Sequence, residues 1–263
     1  MRPPSEPAGT SGLFDLSGRT ALVTGSGRGI GRAIAVGLAS CGANVAVHCA
    51  SRIEEADETA HAIGAAGARS ATLVADLRDA GACRNLVPEA SRRLGPIDIL
   101  VLNASTEIRS DWLDITEADF DTQVAVNFKA SLLLLQVAIP TMAERGWGRV
   151  VSLGSIQEAK PNLRLIVYAA LKAAQTNMMN NLARQYAGRG VTLNNLAPGA
   201  IGTERNAAVL EDPAYRERVE AQIPSHRIGA PRDCVGAALL LCSDAGAYIT
   251  GSTLFVDGGW HVA

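Results

Sequence analysis

Tyr168 and Lys172 stand four residues apart in the stretch Tyr168-Ala-Ala-Leu-Lys172-Ala-Ala. Alanine and leucine propose a helix there, and side chains at i and i+4 share one helix face. A phenol and an ammonium can therefore look into one space. A nearby cation favours tyrosinate and draws a phenol pKa down from its unperturbed value of about 10. A tyrosine tuned in that way gives or takes a proton near neutral pH. A half-exposed tyrosine beside a solvated lysine has the same spacing, so the surrounding residues must decide between the two.

A second stretch with chemical content is Thr24-Gly25-Ser26-Gly27-Arg28-Gly29-Ile30-Gly31. It follows an apolar burst and leads into a helical pattern. Glycines there permit a tight turn and let the backbone approach a pyrophosphate at a helix N-terminus, where unsatisfied N–H groups and the dipole favour anions. Strand, glycine loop and helix at the front of a βαβ unit is the context that a dinucleotide-binding fingerprint requires. A purely structural turn is the alternative.

The elements that must position these groups alternate regularly. Apolar bursts fall at Thr20–Thr24, Asn44–Cys49, Ala71–Ala75, Ile97–Leu102, Arg149–Leu153, Val191–Leu196 and Thr253–Val256. They are short, rich in Val, Leu and Ile, and mostly not alternating, as strands buried on both faces should be. Helical patterns cover Ile30–Cys41, Glu54–Ala66, Ala80–Leu94, Thr116–Met142 and Leu163–Ala187, with Pro140 weakening the last turn of the fourth. The order predicts an α/β fold, a doubly wound parallel sheet of about seven strands with helices on both faces. Thr203–Ser225 interrupts the pattern as a charged helical insertion, and insertions after a strand's carboxyl end commonly serve the site. A lid over the substrate is the role expected of it.

The chain has 263 residues, 48% hydrophobic and 19% charged, with a net charge of −2. That suffices for one large α/β domain with a real core. A slightly acidic balance offers no footprint for nucleic acid or an anionic membrane, and no apolar run approaches the ~20 residues of a membrane-spanning helix. The start, MRPPSEPAGTSG, has no apolar h-region and reads as a tail over residues 1–12 ahead of a single domain over 13–263. Cys41, Cys49, Cys83, Cys234 and Cys242 are scattered and without C-x-x-C spacing. They read as small apolar residues of a reduced, cytoplasmic protein, with no metal site expected.

The spacing Gly25-x-x-x-Gly29-x-Gly31 resembles that of the short-chain dehydrogenase/reductase family, and the resemblance runs from about Leu13 to Gly259. It implies a Rossmann-type NAD(P)-binding catalytic domain. The family's Asn-Asn-Ala-Gly after the fourth strand is met by Leu102-Asn103-Ala104-Ser105, in which Asn103 and Ala104 match while Leu102 and Ser105 depart. Asp76, followed by Leu77, matches an acidic residue near the adenine; helix capping is its alternative role. Pro198-Gly199 and Thr203 follow the family's PGxxxT spacing, which implies that Ile201 and Thr203 meet the nicotinamide carboxamide or the phosphates. The family constellation is Asn, Ser, Tyr and Lys, and Asn127, Ser155, Tyr168 and Lys172 stand at matching places, Ser155 thirteen residues before Tyr168. By that resemblance Tyr168 is the acid–base, Ser155 stabilises the substrate oxygen, Lys172 lowers the tyrosine pKa and holds the nicotinamide ribose, and Asn127 orients a water that connects the lysine to solvent. Leu171 stands where the family often has serine.

NAD-preferring members place an acid at the end of the second strand. Here that strand ends His48-Cys49-Ala50-Ser51-Arg52, with no carboxylate before Glu54. Arg52, Ser51 and Arg28, together with Ser26 of the glycine loop, are the residues to receive cofactor oxygens there, and NADP(H) is favoured over NAD(H). A solvated Arg52 at a helix start is the alternative. The pattern is similar both to the family's 3-oxoacyl carrier-protein reductases and to its sugar and polyol dehydrogenases. Of two carrier-docking arginines implied by the former, Arg184 matches one and Pro140 occupies the other place. Gln157, Glu158, Asn162 and Arg164 read as a polar pocket wall for a small carbonyl or alcohol, or as solvated loop. The apolar run Leu132–Ala138 and the resemblance together imply a helix bundle across a twofold axis, with Asp257-Gly258-Gly259-Trp260 at a second interface, giving a homotetramer or homodimer. The same run can equally be internal core. A cofactor-binding scaffold without turnover is the rival from another class, against which the intact Asn-Ser-Tyr-Lys set argues.

Overall fold

A computed structural model describes residues 10–263. Residues 1–9 of the expected tail lie outside the described residues, and Thr10–Phe14 forms a 3-10 turn. The apolar bursts are strands: β1 Thr20–Val23, β2 Asn44–Cys49, β3 Ser70–Val74, β4 Ile99–Leu102, β5 Gly148–Leu153, β6 Val191–Pro198 and β7 Thr253–Val256. All pair in parallel, in the order β3-β2-β1-β4-β5-β6-β7. Every residue of β1, β4, β5 and β6 is buried. That two-sided burial is why the sequence shows runs rather than alternation.

Successive strand residues feed two cores. Leu22, Leu100, Leu102, Val150 and Leu193 face one layer, and Ala21, Val23, Ile99, Val101 and Val151 face the other. The first layer holds α3 Ala80–Leu94, α5 Ala130–Arg145 and α6 Ile166–Tyr186; the second holds α1 Gly29–Ser40, α2 Ile53–Ala65 and α9 Val235–Cys242. The sheet runs outward in both directions from the β1–β4 pair. The crevice at the carboxyl ends of those two strands is therefore the topological switch point, where open α/β sheets hold their ligands.

Two features differ from the sequence expectation. The fourth helix is α4 Glu117–Val124 and α5 joined by a π turn over Ala125–Lys129, and it continues past Pro140 to Arg145, where Gly146 at φ 71° caps it. Such π turns concentrate at functional sites, and this one carries Asn127. The helical stretch Glu117–Arg145 covers 29 residues and contains an 18-residue window of mean hydropathy 1.5, which by length and composition alone matches a membrane-spanning helix. In the fold Leu133, Leu134, Leu135, Ala138, Ile139 and Met142 are buried in the first core, so most of Leu132–Ala138 is internal and only Leu132 of its leucines is exposed. Finally, α9 had no amphipathic signature, because VGAALLLC is apolar all round.

The insertion contains α7 Ala207–Leu210 and α8 Pro213–Ala221, neither with a buried residue. It is anchored by Ile223, which is buried, and overhangs the same carboxyl-end crevice, to which Val209, Leu210, Tyr215 and Val219 contribute.

Candidate active site

The glycine loop is shaped by close contacts. Gly25 and Gly29 adopt φ of 63° and 57°, the left-handed region that glycine enters without steric cost. A Cβ on Gly31 would stand 2.4 Å from Asn103 Nδ2 and 2.5 Å from the Gly25 carbonyl. Asn103 needs that space, because its amide donates to the Thr24 and Gly25 carbonyls at 2.8 Å each. The Thr24 hydroxyl in turn accepts from the Asn103 and Ala104 backbone N–H groups at 3.0 Å. His48, buried on β2, accepts from the Gly25 N–H through Nδ1 at 3.0 Å, and its Nε2 lies 3.0 Å from the Ala75 carbonyl. Burial holds its pKa below the usual imidazole value, so the ring stays neutral and keeps Nδ1 as an acceptor.

A cavity of about 670 Å³ opens beside this loop. Of the cofactor residues expected from sequence, Gly25, Arg28, Gly29, Ile30, Gly31, Ser51, Arg52, Asp76, Leu77, Asn103, Ala104, Pro198, Gly199, Ile201 and Thr203 line it. Ser26 does not. Its hydroxyl points inward, donating to the Val23 carbonyl at 2.7 Å and accepting from the His48 N–H at 3.1 Å. At the end of β2, Arg52 Nη1 lies 2.8 Å from Glu55 Oε1 and Arg28 Nε 3.6 Å from Glu55 Oε2. Glu55 thus stands between the two guanidiniums, in the first turn of α2. Asp76 is held by Arg78 through contacts of 2.6–3.1 Å.

Ser155, Tyr168 and Lys172 meet at the other end of the same cavity, and all three are buried. Lys172 Nζ lies 5.6 Å from the Tyr168 ring centre, and the Ser155 side chain engages the phenol. Ser155 is positioned by a capping box, its hydroxyl accepting from the Gln157 N–H at 3.1 Å and its own N–H donating to Glu158 Oε1 at 2.9 Å. Glu158 is fixed by the Thr176 hydroxyl at 2.7 Å and by Asn195 Nδ2 at 3.2 Å. Glu158 therefore braces the site from behind and does not line the cavity. Gln157 and Asn162 do line it, while Arg164 turns away toward Asp111 at 3.5 Å. Arg184 and Pro140 are exposed on α6 and α5, away from the cavity.

The electrostatics of the pair correct the sequence reading. Burial pushes the Tyr168 phenol up, partly offset by the Arg205 charge, and Lys172 is not among the groups that lower it. Burial pushes the Lys172 ammonium down to about 7. In a dry site, desolvation disfavours both charged forms.

Asn127 lies outside the cavity wall, in the π turn. Its side chain clamps Thr106, accepting from the Thr106 N–H and donating to the Thr106 carbonyl at 2.8 Å each. A buried chain connects it to the lysine. Lys172 Nζ donates to Leu153 O at 2.5 Å and reaches Gln175 Oε1 at 3.5 Å. Gln175 Nε2 donates to Ser131 Oγ at 2.8 Å, and that hydroxyl donates to the Asn127 carbonyl at 3.4 Å. Gln175 and Ser131 were missed from sequence, although Gln175 follows Lys172 by one helical turn. His48 and Arg205 were missed because nothing local marks them. Among the described residues no group of His, Cys, Asp or Glu is placed to hold a metal ion.

A family model described as Enoyl-(Acyl carrier protein) reductase matches residues 25–261. The chain is 34% identical to a gluconate 5-dehydrogenase of Gluconobacter oxydans over 95% of this chain and 98% of that one. It is also 34% identical to a 3-oxoacyl-[acyl-carrier-protein] reductase of Staphylococcus aureus over 93% and 98%. A crystal structure of a 3-oxoacyl (acyl-carrier-protein) reductase from Agrobacterium tumefaciens with NADP bound superposes with a TM-score of 0.92 at 43% identity, covering 96% of this chain and 98% of that one.

The buried lysine should cost stability. Its folded pKa lies below the unfolded value, so the folded chain binds fewer protons between about 7 and 10.5. The associated stability is complete above the unfolded pKa and is lost as pH falls toward about 7. Lys172→Met should therefore raise the Tm of the ligand-free protein at neutral pH, by about 2–4 °C for each kcal/mol relieved. The gap should narrow as pH rises toward 10. Thermal melts across that range check it, and a less stable variant at pH 7 would refute it.

Proposed function

The chain belongs to the short-chain dehydrogenase/reductase family and is an oxidoreductase; from that premise we propose NADP(H) as its preferred partner and a small polar carbonyl or secondary alcohol as its substrate. The observation that carries this reading is the convergence of Ser155, Tyr168 and Lys172 on one end of a cavity whose other end is the glycine loop. The residues present fit a dinucleotide. Gly25 and Gly29, at positive φ, turn the loop into the α1 N-terminus, whose first N–H groups lack helical partners and would face a diphosphate. Arg28, Ser51 and Arg52 would hold a 2′-phosphate, Asp76 and Leu77 would flank the adenine, Lys172 would hold the nicotinamide ribose, and Ile201 and Thr203 would meet the carboxamide. When bound, the cofactor supplies or accepts the hydride.

The protein's own groups handle the oxygen and its proton. Tyr168, kept protonated by burial, donates to the carbonyl oxygen as negative charge develops there. The Ser155 hydroxyl hydrogen-bonds the same oxygen, and its fixed orientation means that little reorganisation is needed during the reaction. Lys172, held by Leu153 and Gln175, stands behind the phenol and gains charge when anionic groups arrive beside it. Asn127 orders the Thr106 loop and, through Ser131 and Gln175, the lysine. Alcohol oxidation is the same path reversed. A binding scaffold would have no need to bury a lysine at this cost.

Tyr168→Phe should lower turnover by about 10²–10⁴-fold while the affinity for NADPH stays nearly constant. Near-normal turnover in a carbonyl and alcohol panel would refute the assignment.

The cofactor preference should rest on the Arg28–Glu55–Arg52 cluster. A wild-type kcat/KM ratio favouring NADPH over NADH is expected. Arg52→Ala should reduce that ratio about tenfold or more, the scale of one hydrogen bond to a charged group. Glu55→Gln should raise it by releasing both guanidiniums, and Cys49→Asp should reverse it by repelling the phosphate. A wild-type ratio favouring NADH, or one indifferent to Arg52, contradicts the reading.

Assembly follows from what remains uncovered. Phe120, Leu132 and Ile166 lie exposed on α4, α5 and α6, with Trp112, Leu113 and Leu163 exposed nearby. A twofold packing of those helices would cover part of this area. The proposed state is a cytoplasmic homotetramer, or a homodimer, of a single-domain chain whose cysteines are unpaired among the described residues. Recovery in the soluble cell fraction and sedimentation as more than a 27 kDa species are expected; a stable monomer would overturn it.

A further inference from the structure

Of the five arginines that line the cavity, four are ion-paired among the described residues. Arg28 and Arg52 share Glu55, Arg78 holds Asp76, and Arg109 Nε lies 3.0 Å from Glu107 Oε1. Arg205, from the insertion, has no carboxylate within ion-pair distance among the described residues. It is fastened instead to Ser105, Nη1 donating to the Ser105 hydroxyl at 3.0 Å and Nη2 to the Ser105 carbonyl at 2.8 Å. Those two bonds set the plane of the guanidinium and leave its other N–H groups without a protein acceptor. Arg205 lines the same cavity as Tyr168 and Lys172, and its charge reaches both the phenol and the ammonium. Gln157, Asn162 and Trp260 complete that part of the wall.

Resting on the oxidoreductase reading above, we propose that Arg205 binds a carboxylate of the substrate, and that the substrate is a small oxo- or hydroxy-acid. A guanidinium fork matches a carboxylate in two parallel bonds, which orients the ligand as well as holding it. Arg205 is exposed to the solvent of the cavity, where a lone cation is worth little; the interaction strengthens when a bound ligand displaces that water. Fixing the acid group at Arg205 presents the carbonyl beyond it to Tyr168 and Ser155. Ser105 serves as the backstop that keeps the fork aimed, a role the glycine of the family pattern has no side chain to perform. Glu107, another carboxylate of the cavity wall, is already taken by Arg109.

The test compares each oxo-acid with its methyl ester on the same carbon skeleton, in wild type, Arg205→Gln and Arg205→Lys. Wild type should prefer the acid by about tenfold to a hundredfold, the scale of one or two hydrogen bonds to a charged group. Arg205→Gln should lose that preference mainly through KM, with Arg205→Lys intermediate. The Kd for NADPH, titrated without substrate, should stay within about twofold. A wild type indifferent to charge overturns the proposal. So does a loss that falls on the NADPH Kd, which would assign Arg205 to a cofactor phosphate. A second arm does not depend on turnover. Malonate, which cannot be reduced at this site, should quench tryptophan fluorescence of the NADPH complex in wild type and much less in Arg205→Gln. If no carbonyl is reduced yet malonate binding needs Arg205, the oxidoreductase reading fails and the carboxylate site stands. If malonate binds both proteins equally, or neither, the carboxylate site fails.

Discussion

The side chain of Asn103 joins the two halves of the molecule at the point where ligand must enter. Its amide bonds the Thr24 and Gly25 carbonyls, so the end of β4 and the turn after β1 move as one piece. That bond exists only because Gly31 has no side chain to occupy the same space. The constraint propagates in both directions. Toward β2, Gly25 is held by His48, and Ser26 turns inward to the same histidine backbone. Toward β5 and β6, the crevice widens into the space that Ser155 and the Pro198-Gly199 turn enclose. A parallel sheet splits open only at the place where its strand order reverses, and here that place is stapled by one asparagine.

A second node stabilises the reacting end. Glu158 receives bonds from the Ser155 backbone, the Thr176 hydroxyl and the Asn195 amide, linking the loop after β5 to α6 and to β6. Ser155 and Tyr168 come from different elements, yet both are anchored to this carboxylate or to its neighbours. Geometry of this kind, locked before ligand arrives, is what lets a hydroxyl and a phenol stabilise a developing charge. Its counterpart is the lysine. Enclosing Lys172 with only carbonyl and amide partners drives its pKa to about 7, and the fold tolerates an ammonium ready to lose its proton. Stability and reactivity oppose each other at that one residue, as is common where sites need unfavourable burial.

Charge is arranged differently at the two ends. Around the expected phosphate site two arginines flank one glutamate, a cluster whose preference depends on how readily Glu55 yields. Near Tyr168 and Lys172, Arg205 has no ion-pair partner among the described residues, and its two anchoring bonds go to Ser105. The first end is tuned by competition among fixed charges; at the second, the carboxylate proposed to meet Arg205 comes from the substrate.

The sequence by itself determined the strand order's alternating pattern, the glycine loop, and the Tyr168–Lys172 and Ser155 spacings, because each is written in residues close along the chain. Period and turn chemistry are local properties, which is why Ala80–Leu94 was legible to the residue while α9, uniformly apolar, was not. Glu55 was within reach of that reasoning, since it lies one helical turn beyond Arg52, but its position against Arg28 was not. Tertiary structure alone decided the rest. The direction of the tyrosine pKa depended on how completely the phenol is desolvated, a property of everything packed around it. Asn127 turned from the cavity to Thr106 because a π turn rotated the helix locally. Arg205 met Ser105 across a separation of 100 residues, a contact that exists only because the loops after β4 and β6, two strands apart in the sheet, leave it at the same carboxyl edge.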